Sequence, residues 1–207
     1  IELMRRLELA AVFEQSQVLG YIGPGNIDEH IEHARAHLAA ANPTKGSRWC
    51  DMGSGGGLPG LVVGYDRPDL RIVLLDRSTE RTNFLDQAVI DLGLQQSVEV
   101  LTGDAAVMGH RSDHRGTYDG VFSRSFGSPA ITAECAVGLL RLGGRLVVSE
   151  PPDPPVDRWQ QTILHSMGFG ELEFLVTSPR FVSISLVRPT RNELPRSWKK
   201  ITKAPMF

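Results

Sequence analysis

The residue types and spacing with the clearest chemical meaning lie between positions 47 and 60. A short strand ends at Asp51, glycines at positions 53, 55 and 57 crowd the turn that follows, and Pro59 stands where a helix can begin. Proline is well tolerated in a first helical turn. A strand, a glycine turn and a helix N-terminus together present bare backbone to a nucleotide-type ligand.

The glycine spacing distinguishes between classes of nucleotide site. A dinucleotide fingerprint would require its third glycine at position 58, where this chain has Leu58. The order acidic-x-Gly-x-Gly-x-Gly instead resembles the first motif of class I S-adenosylmethionine-dependent methyltransferases, in which the glycines let the backbone approach the cofactor. A structural turn without a ligand is the alternative, although one glycine would suffice for that. The predicted cofactor contacts in this turn are Asp51, Gly53, Ser54, Gly55, Gly57 and Leu58.

Two further carboxylates follow predicted strands. Asp76 ends an apolar run 23 positions after Gly53, where an α/β nucleotide fold places the acid that binds ribose hydroxyls. Its alternative role is to cap the helix that starts near Thr79. Asp104 follows the third strand, where an acid commonly faces the adenine amino group in this superfamily, although an ordinary loop aspartate is equally compatible. The residues after these acids, Arg77 and Ala105, complete the predicted cofactor site.

Length and composition predict one domain over residues 1–207, with 41% hydrophobic residues and a net charge of −2. Within it we predict an N-terminal helical cap over 1–45 and a basic C-terminal tail over 188–207. No apolar run is long enough to span a membrane, so no membrane partner is predicted. Cys50 and Cys135 have neither disulfide-framework nor zinc spacing, which favours a reducing, cytoplasmic location.

Alternating strand and helix patterns predict an α/β fold with a seven-stranded, mostly parallel sheet and helices on both faces. The predicted strands are 47–51, 70–76, 97–102, 118–123, 145–150, 171–177 and 181–187. The predicted helices lie within 2–19 and 27–41 and over 58–65, 79–92, 129–141 and 156–167.

The chain as a whole resembles the RsmG (GidB) family. The glycine turn at 51–60, the segment at 118–126 with its Ser-Arg-Ser-Phe sequence and the Pro-Arg and Lys-Ala-Pro-Met pieces of the tail follow that family's order. The resemblance implies a class I methyltransferase fold, S-adenosylmethionine as cofactor, and methylation of N7 of a guanine in 16S ribosomal RNA. The ribosomal RNA or the small ribosomal subunit is then the expected partner.

The family's chemistry agrees with what the sequence lacks. Guanine N7 carries a free lone pair, so its methylation requires alignment and desolvation rather than a base. Neither cysteine is placed as the nucleophile that pyrimidine C5 methylation needs. The strand that ends at Ser123 also lacks the Pro-Pro-aromatic turn typical of amino-group methyltransferases. Arg124 is retained from the family pattern, and we predict that it orients the guanine and contacts the cofactor. A strand-end arginine paired with a neighbouring acid is the alternative.

Some positions depart from the family pattern. Asp104 and Glu150 stand where arginine and lysine are usual, and such acids would repel phosphate. The tail offers compensation, because six basic residues there face a single acid, Glu193, and Trp198 could stack on a base. The alternative to RNA binding is a solvated tail that packs back on the sheet. The predicted RNA-binding residues are Arg124, Arg196, Lys199, Lys200 and Lys203.

Histidines 30, 33 and 37 can share one helical face, but no cysteine joins them, and we predict no metal. Three functions therefore remain open from the sequence. The first is an RNA guanine-N7 methyltransferase. The second is a class I methyltransferase that acts on another acceptor, such as a small molecule. The acids at positions 104 and 150 would suit that acceptor. The third is a nonenzymatic S-adenosylmethionine-binding protein.

Overall fold

The computed structural model describes residues 2–175 and 177–207, with side chains described from residue 7 onward. Its centre is a seven-stranded sheet with the strand order β3-β2-β1-β4-β5-β7-β6. The strands are β1 (Arg48–Met52), β2 (Arg71–Asp76), β3 (Val98–Thr102), β4 (Tyr118–Ser123), β5 (Leu140–Ser149), β6 (Phe169–Leu175) and β7 (Phe181–Leu186).

Strands β1 to β5 pair in parallel, and β7 pairs antiparallel with both β5 and β6. The strand order reverses between β1 and β4, since β1 pairs with β2 on one side and β4 on the other. Ligands of open α/β sheets bind beyond the carboxyl ends of the strands at such a reversal. The fold therefore places the glycine turn after β1 and Arg124 after β4 at the expected binding edge.

Helices cover both faces of the sheet. One core cluster includes Phe13, Leu61 and Leu85 beneath the helices of the first half of the chain. The other includes Cys135, Leu164 and Ile201 beneath the helices of the second half. The helices are α1 (Glu2–Val18), α2 (Ile27–Ala41), α3 (Gly60–Asp66), α4 (Thr79–Asp91), α5 (Ala105–Met108), α6 (Pro129–Leu139), α7 (Gln161–Met167) and α8 (Trp198–Lys203). None of the described helices is both long and apolar enough to cross a membrane.

Several elements differ from the sequence-based expectation. The predicted helix over 156–167 begins only at Gln161, because Arg158 and Trp159 turn back to the carboxylate of Glu150. Strand β5 begins at Leu140, five residues earlier than predicted, so α6 ends at Leu139. The short helices α5 and α8 were not predicted.

The N-terminal region packs directly on the sheet. Phe13 and Ala34 are fully buried. The ring of His37 packs edge-on against that of Phe122, with 5.2 Å between the ring centroids. Nε2 of His37 hydrogen-bonds the carbonyl of Val147 at 2.9 Å. Helix α2 is therefore part of one face of the core, and the cap boundary at residue 45 stays a prediction.

Candidate functional site

The glycine turn after β1 has the backbone geometry that its glycines permit. Gly53, Gly55 and Gly57 have φ angles of +77°, +54° and +98°, a region that L side chains rarely adopt. A Cβ added to Gly53 would lie 2.5 Å from the ring of Phe126. The amides of Gly53 and Ser54 both donate to the carbonyl of Leu75, at 2.8 and 3.0 Å, which ties the turn to β2.

Asp51 lies beneath this turn. Its Oδ2 accepts from the amide of Gly60 at 2.8 Å, and its backbone carbonyl accepts from Ser54 Oγ at 2.8 Å. Burial raises the pKa of the Asp51 carboxyl to about 7, although the hydrogen bond from Gly60 opposes that shift. Asp51 thus holds the start of α3 against the turn.

Asp76 braces the opposite side of the turn. Its Oδ2 accepts from the amide of Gly55 at 2.9 Å, its Oδ1 accepts from the amide of Ser78 at 2.9 Å, and the side chain is 5% exposed. Nη1 of Arg81 lies 3.9 Å from Oδ2. Ser78, rather than Asp76, caps α4, because Ser78 Oγ accepts from the amide of Arg81. The capping alternative for Asp76 is therefore wrong.

A first cavity of about 160 Å³ lies at the carboxyl ends of β1 to β4. Asp76 and Asp104 both line it, so the structure brings together two acids that are 28 positions apart in the sequence. Asp104 has a second role as the cap of α5, since its Oδ1 accepts from the amide of Ala106 at 2.8 Å. The remaining lining residues are Gly53, Leu75, Arg77, Arg81, Gly103, Ala105, Ser125, Phe126 and Trp198.

A second cavity, of about 260 Å³, continues from the first along the glycine turn, and both include Gly53, Arg81 and Ser125. Tyr21, between α1 and α2, forms part of its outer wall, and the Arg81 guanidinium lies 5.8 Å from the Tyr21 ring centroid. The other lining residues are Ile22, Gly23, Ser54, Gly55, Gly56, Leu58 and Arg124. Of the predicted cofactor residues, Asp51 and Gly57 line neither of these two cavities.

A third cavity, of about 410 Å³, lies across Arg124 from the glycine turn, at the ends of β4 and β5. It is lined by His33, Ser123, Arg124, Ser125, Phe126, Gly127, Thr132, Val148, Ser149, Glu150, Pro151 and Arg158. Arg124 is common to the second and third cavities. A ligand in one and an acceptor in the other would therefore meet at this side chain.

Arg124 has unused hydrogen-bonding capacity. Its Nη2 lies 3.2 Å from Nδ1 of His30, while Nη1 is buried without a hydrogen-bond partner among the described residues, as is Ser123 Oγ. Burial lowers the pKa of the guanidinium, and the charge of Asp51 opposes this. No carboxylate in the described part of the chain forms an ion pair with Arg124, so the expected alternative of a strand-end ion pair is wrong.

The histidines of α2 support this region. Burial, followed by the charge of Arg124, lowers the pKa of His33 to about 4, so the ring is neutral near pH 7. His33 Nε2 hydrogen-bonds Ser149 Oγ at 2.8 Å, and His30 Nε2 hydrogen-bonds the carbonyl of Gly23 at 3.2 Å. Within residues 2–175 and 177–207, no three His, Cys, Asp or Glu side chains form a group that could hold a metal ion.

The charge of Glu150 is compensated within the protein. Its side chain is 3% exposed, and its oxygens accept from Arg158 Nε at 3.2 Å and from Trp159 Nε1 at 3.2 Å. The sequence suggested that this acid would repel phosphate. That expectation is wrong for Glu150, because Arg158, eight positions later, neutralises it.

The C-terminal segment divides the predicted RNA-binding residues into two groups. Arg196 is bound by Glu134, which is fully buried, through Nε and Nη2 at 2.7 Å each. Nη2 of Arg196 also donates to the Ala204 carbonyl at 3.0 Å, so both Nε and Nη2 are engaged within the protein, and Arg196 as a phosphate contact stays a prediction. The exposed cations of α8, which pair with no carboxylate in the described part of the chain, are Lys199, Lys200 and Lys203.

Sequence reasoning gave no role at the cofactor turn to Tyr21, Arg81, Phe126 or Trp198. Arg81 and Phe126 lie inside segments that carried the family resemblance, which was the available signal for them. Trp198 was predicted to stack on RNA, but the structure places it in the first cavity. No sequence pattern links a C-terminal tryptophan to a turn more than 140 positions earlier.

Solved structures with a similar fold include a putative S-adenosyl-L-methionine-dependent methyltransferase from Methanococcus maripaludis. It has a TM-score of 0.60 at 16% identity, and the match covers 78% of this chain and 86% of that one. The [4+2]-cyclase SpnF matches with a TM-score of 0.56 at 20% identity, covering 72% and 60%. These likenesses establish the class I methyltransferase fold, as predicted.

Sequence relatives are more specific. "Ribosomal RNA small subunit methyltransferase G" from Mycobacterium marinum is 32% identical over 156 residues, covering 74% of this chain and 67% of the relative. The protein of that name from Rubrobacter xylanophilus is 31% identical over 140 residues, covering 67% and 53%. The chain thus spans about half to two thirds of the length of these relatives. The GidB family model, described as rRNA small subunit methyltransferase G, matches residues 9–150, and the chain belongs to that family.

Proposed function

We propose that this protein transfers a methyl group from S-adenosylmethionine to N7 of a guanine in 16S ribosomal RNA. The observation that carries the proposal is Arg124, whose Nη1 has no hydrogen-bond partner among the described residues and lies where the cavity along the glycine turn meets the cavity beyond β4 and β5. The protein would act in the cytoplasm, where ribosomal RNA is processed. Its partner would be the RNA or the small ribosomal subunit.

The first two cavities fit the proposed cofactor. Gly53 and Gly55 leave space that side chains would occupy or strain, and Asp76 presents a fixed carboxylate to the first cavity. Asp76 would bind ribose hydroxyls, Asp104 would face the adenine amino group, and Arg81, which lines both cavities, would hold the carboxylate of the amino-acid end. When bound, S-adenosylmethionine supplies an electrophilic methyl group at this site.

The chain's own contribution to methyl transfer is positioning. Arginine donors bind guanine O6, which is adjacent to N7 on the same edge of the base. Arg124 would therefore turn N7 toward the glycine turn, which is catalysis by alignment. The N7 lone pair would form the new bond to the methyl carbon as the methyl–sulfur bond breaks and S-adenosylhomocysteine leaves, so no proton is removed and none of the cavity histidines has to act as a base.

Replacing Asp76 tests the cofactor placement. We expect Asp76→Ala to weaken binding of S-adenosylhomocysteine by about 10-fold or more, since a charge-assisted hydrogen bond is worth about 1.5–3 kcal/mol. Gly55→Val should also weaken it, because the φ of +54° strains a β-branched residue. Isothermal titration calorimetry measures both affinities. Asp91→Ala, an exposed acid at the end of α4, is the control. Unchanged affinity in Asp76→Ala and Gly55→Val would reject the placement.

A second acceptor class is favoured by one observation. Asp104 keeps an acid at the edge of the first cavity, next to the tail, and would repel a phosphate approaching there. A small-molecule acceptor would avoid that repulsion. The pairing of Glu150 with Arg158 removes the other acid that supported this alternative.

The acceptor can be identified directly. Ribosomal RNA from cells with and without this protein is digested to nucleosides and compared by mass spectrometry, and purified subunits and naked 16S RNA are then offered to the purified protein. We expect one additional 7-methylguanosine when the protein is present. If neither assay showed methylated RNA and the protein instead methylated a small molecule, the small-molecule acceptor would replace RNA in the proposal.

The lysines of α8 provide an independent test of RNA binding. If Lys199, Lys200 and Lys203 contact phosphates, changing all three to glutamine should flatten the dependence of log affinity on log salt by about 2, at about 0.7 per contact for single strands. Filter binding across a salt series measures the slope. Lys45→Gln with Arg71→Gln, exposed and distant from this edge of the sheet, is the charge control. An unaltered slope in the lysine variant would exclude α8 as an RNA contact.

A further inference from the structure

Helix α8 brings an aromatic residue to the first cavity from the far end of the chain. The half-buried indole of Trp198 lines that cavity together with Asp76, Arg77 and Asp104. The Arg77 guanidinium lies 5.2 Å from the centroid of its ring, and the Phe126 ring meets it edge-on at 5.8 Å. These contacts fix the orientation of a residue that a solvated tail would leave mobile.

The segment that carries Trp198 is firmly attached to the sheet domain. Glu134 binds both the backbone amide and the guanidinium of Arg196, and Ile201 is fully buried. Gly138 leaves room for the ring of Pro195, since a Cβ there would lie 2.5 Å from Pro195 Cδ. His110 Nε2 hydrogen-bonds the Pro195 carbonyl at 2.6 Å. Trp198 is thus held at the cavity before any ligand arrives.

The chemistry of the cavity indicates what the indole would contact. Two carboxylates, of Asp76 and Asp104, line the same space, and acids of this kind accept hydrogen bonds from hydroxyl and amino groups. A nucleoside whose base carries an amino group, such as adenosine, offers both together with a flat face. Flat bases stack on aromatic side chains whatever their sequence.

We infer that Trp198 is a binding residue for the adenosyl group of the cofactor, so that the C-terminal helix completes the cofactor site. The inference rests on the proposed cofactor but is independent of the proposed RNA acceptor. It assigns to α8 two separable functions: the indole binds the purine nucleoside, while the neighbouring exposed lysines remain available to phosphates.

Calorimetric titration with S-adenosylhomocysteine tests the inference. Trp198→Ala should weaken binding about 10-fold, because a base–aromatic stack is lost. Trp198→Phe keeps an aromatic face and should remain within about threefold of the unaltered protein. Asn192→Ala, an exposed residue of the same C-terminal segment, is the control and should not change the affinity. Equal affinity in Trp198→Ala and the unaltered protein would overturn the inference.

Fluorescence supplies a readout that does not depend on the stability of the alanine variant. The other two tryptophans, Trp49 and Trp159, are 2% and 7% exposed, so the ligand-dependent change in emission should arise from Trp198. We expect S-adenosylhomocysteine to change the emission of the unaltered protein but not that of Trp198→Phe, although both bind it. The same change in both proteins would overturn the inference. A protein that passes these tests but modifies no RNA would refute the proposed acceptor alone.

Discussion

Replacing Arg124 by alanine is expected to slow methyl transfer to the RNA by about 100-fold, the usual cost of removing one preorganised donor from an active site. The reason is that Arg124 lies between the glycine-turn cavity and the cavity beyond β4 and β5, and its buried Nη1 has no hydrogen-bond partner in the part of the chain that the structure describes. Cofactor affinity should stay nearly unchanged, because Asp76 and the glycine turn are the proposed main contacts of the cofactor. Single-turnover transfer and calorimetric titration separate the two effects.

Conservative replacement sharpens this experiment. Arg124→Lys should restore transfer only in part, because lysine lacks the planar donor fork. Arg71→Ala, an exposed arginine at the start of β2, is the matched control and should retain full transfer. If Arg124→Ala lost cofactor binding and transfer to the same extent, Arg124 would be a cofactor or folding residue rather than one that orients the guanine.

The fold could be predicted from sequence because its signals are local. Strand β2 is a mostly apolar run in the sequence, and the glycines of the turn at 53–57 supply three positive φ angles at alternate positions. The errors lie where a long-range contact overrides a local pattern. Residues 156–160 do not continue the predicted helix, because Arg158 and Trp159 compensate the buried charge of Glu150.

The site was predictable in its residue types more than in its roles. Asp51 and Asp76 both read as cofactor acids, yet Asp51 lies beneath the turn and holds Gly60, whereas Asp76 lines the cavity. Both follow strands, so their strand-end position does not distinguish them. The roles of the two acids differ because their carboxylates accept hydrogen bonds from different backbone amides. Which amides are in reach depends on how α3 packs.

The tail shows the same limit more strongly. Six basic residues against one acid indicate an RNA-binding segment, but the partner of Arg196 is a buried glutamate 62 positions earlier, inside an apolar stretch of α6. A charge within a predicted apolar helix is a usable signal, because buried carboxylates require a partner. It does not say which arginine supplies it.

Removing the guanidinium of Arg196 should therefore destabilise the protein rather than weaken its RNA binding selectively. Arg196→Ala leaves the fully buried carboxylate of Glu134 without its charged partner, and breaking a buried pair on one side costs about 3 kcal/mol. Urea unfolding measures the loss in free energy of unfolding. Arg191→Ala is the matched control in the same segment, since its ion pair with Glu193 is exposed on both sides and should contribute less than about 1 kcal/mol.

The double variant Arg196→Leu with Glu134→Leu separates charge from packing. Replacing both partners of a buried pair by apolar residues is often close to neutral, so this variant should recover most of the stability lost in Arg196→Ala. Because Pro195 and Trp198 flank the pair, Arg196→Ala should also weaken S-adenosylhomocysteine binding, and the double variant should restore it. If Arg196→Ala unfolded at the same urea concentration as Arg191→Ala, the pair would be a surface contact, and Arg196 would again be available as a phosphate ligand.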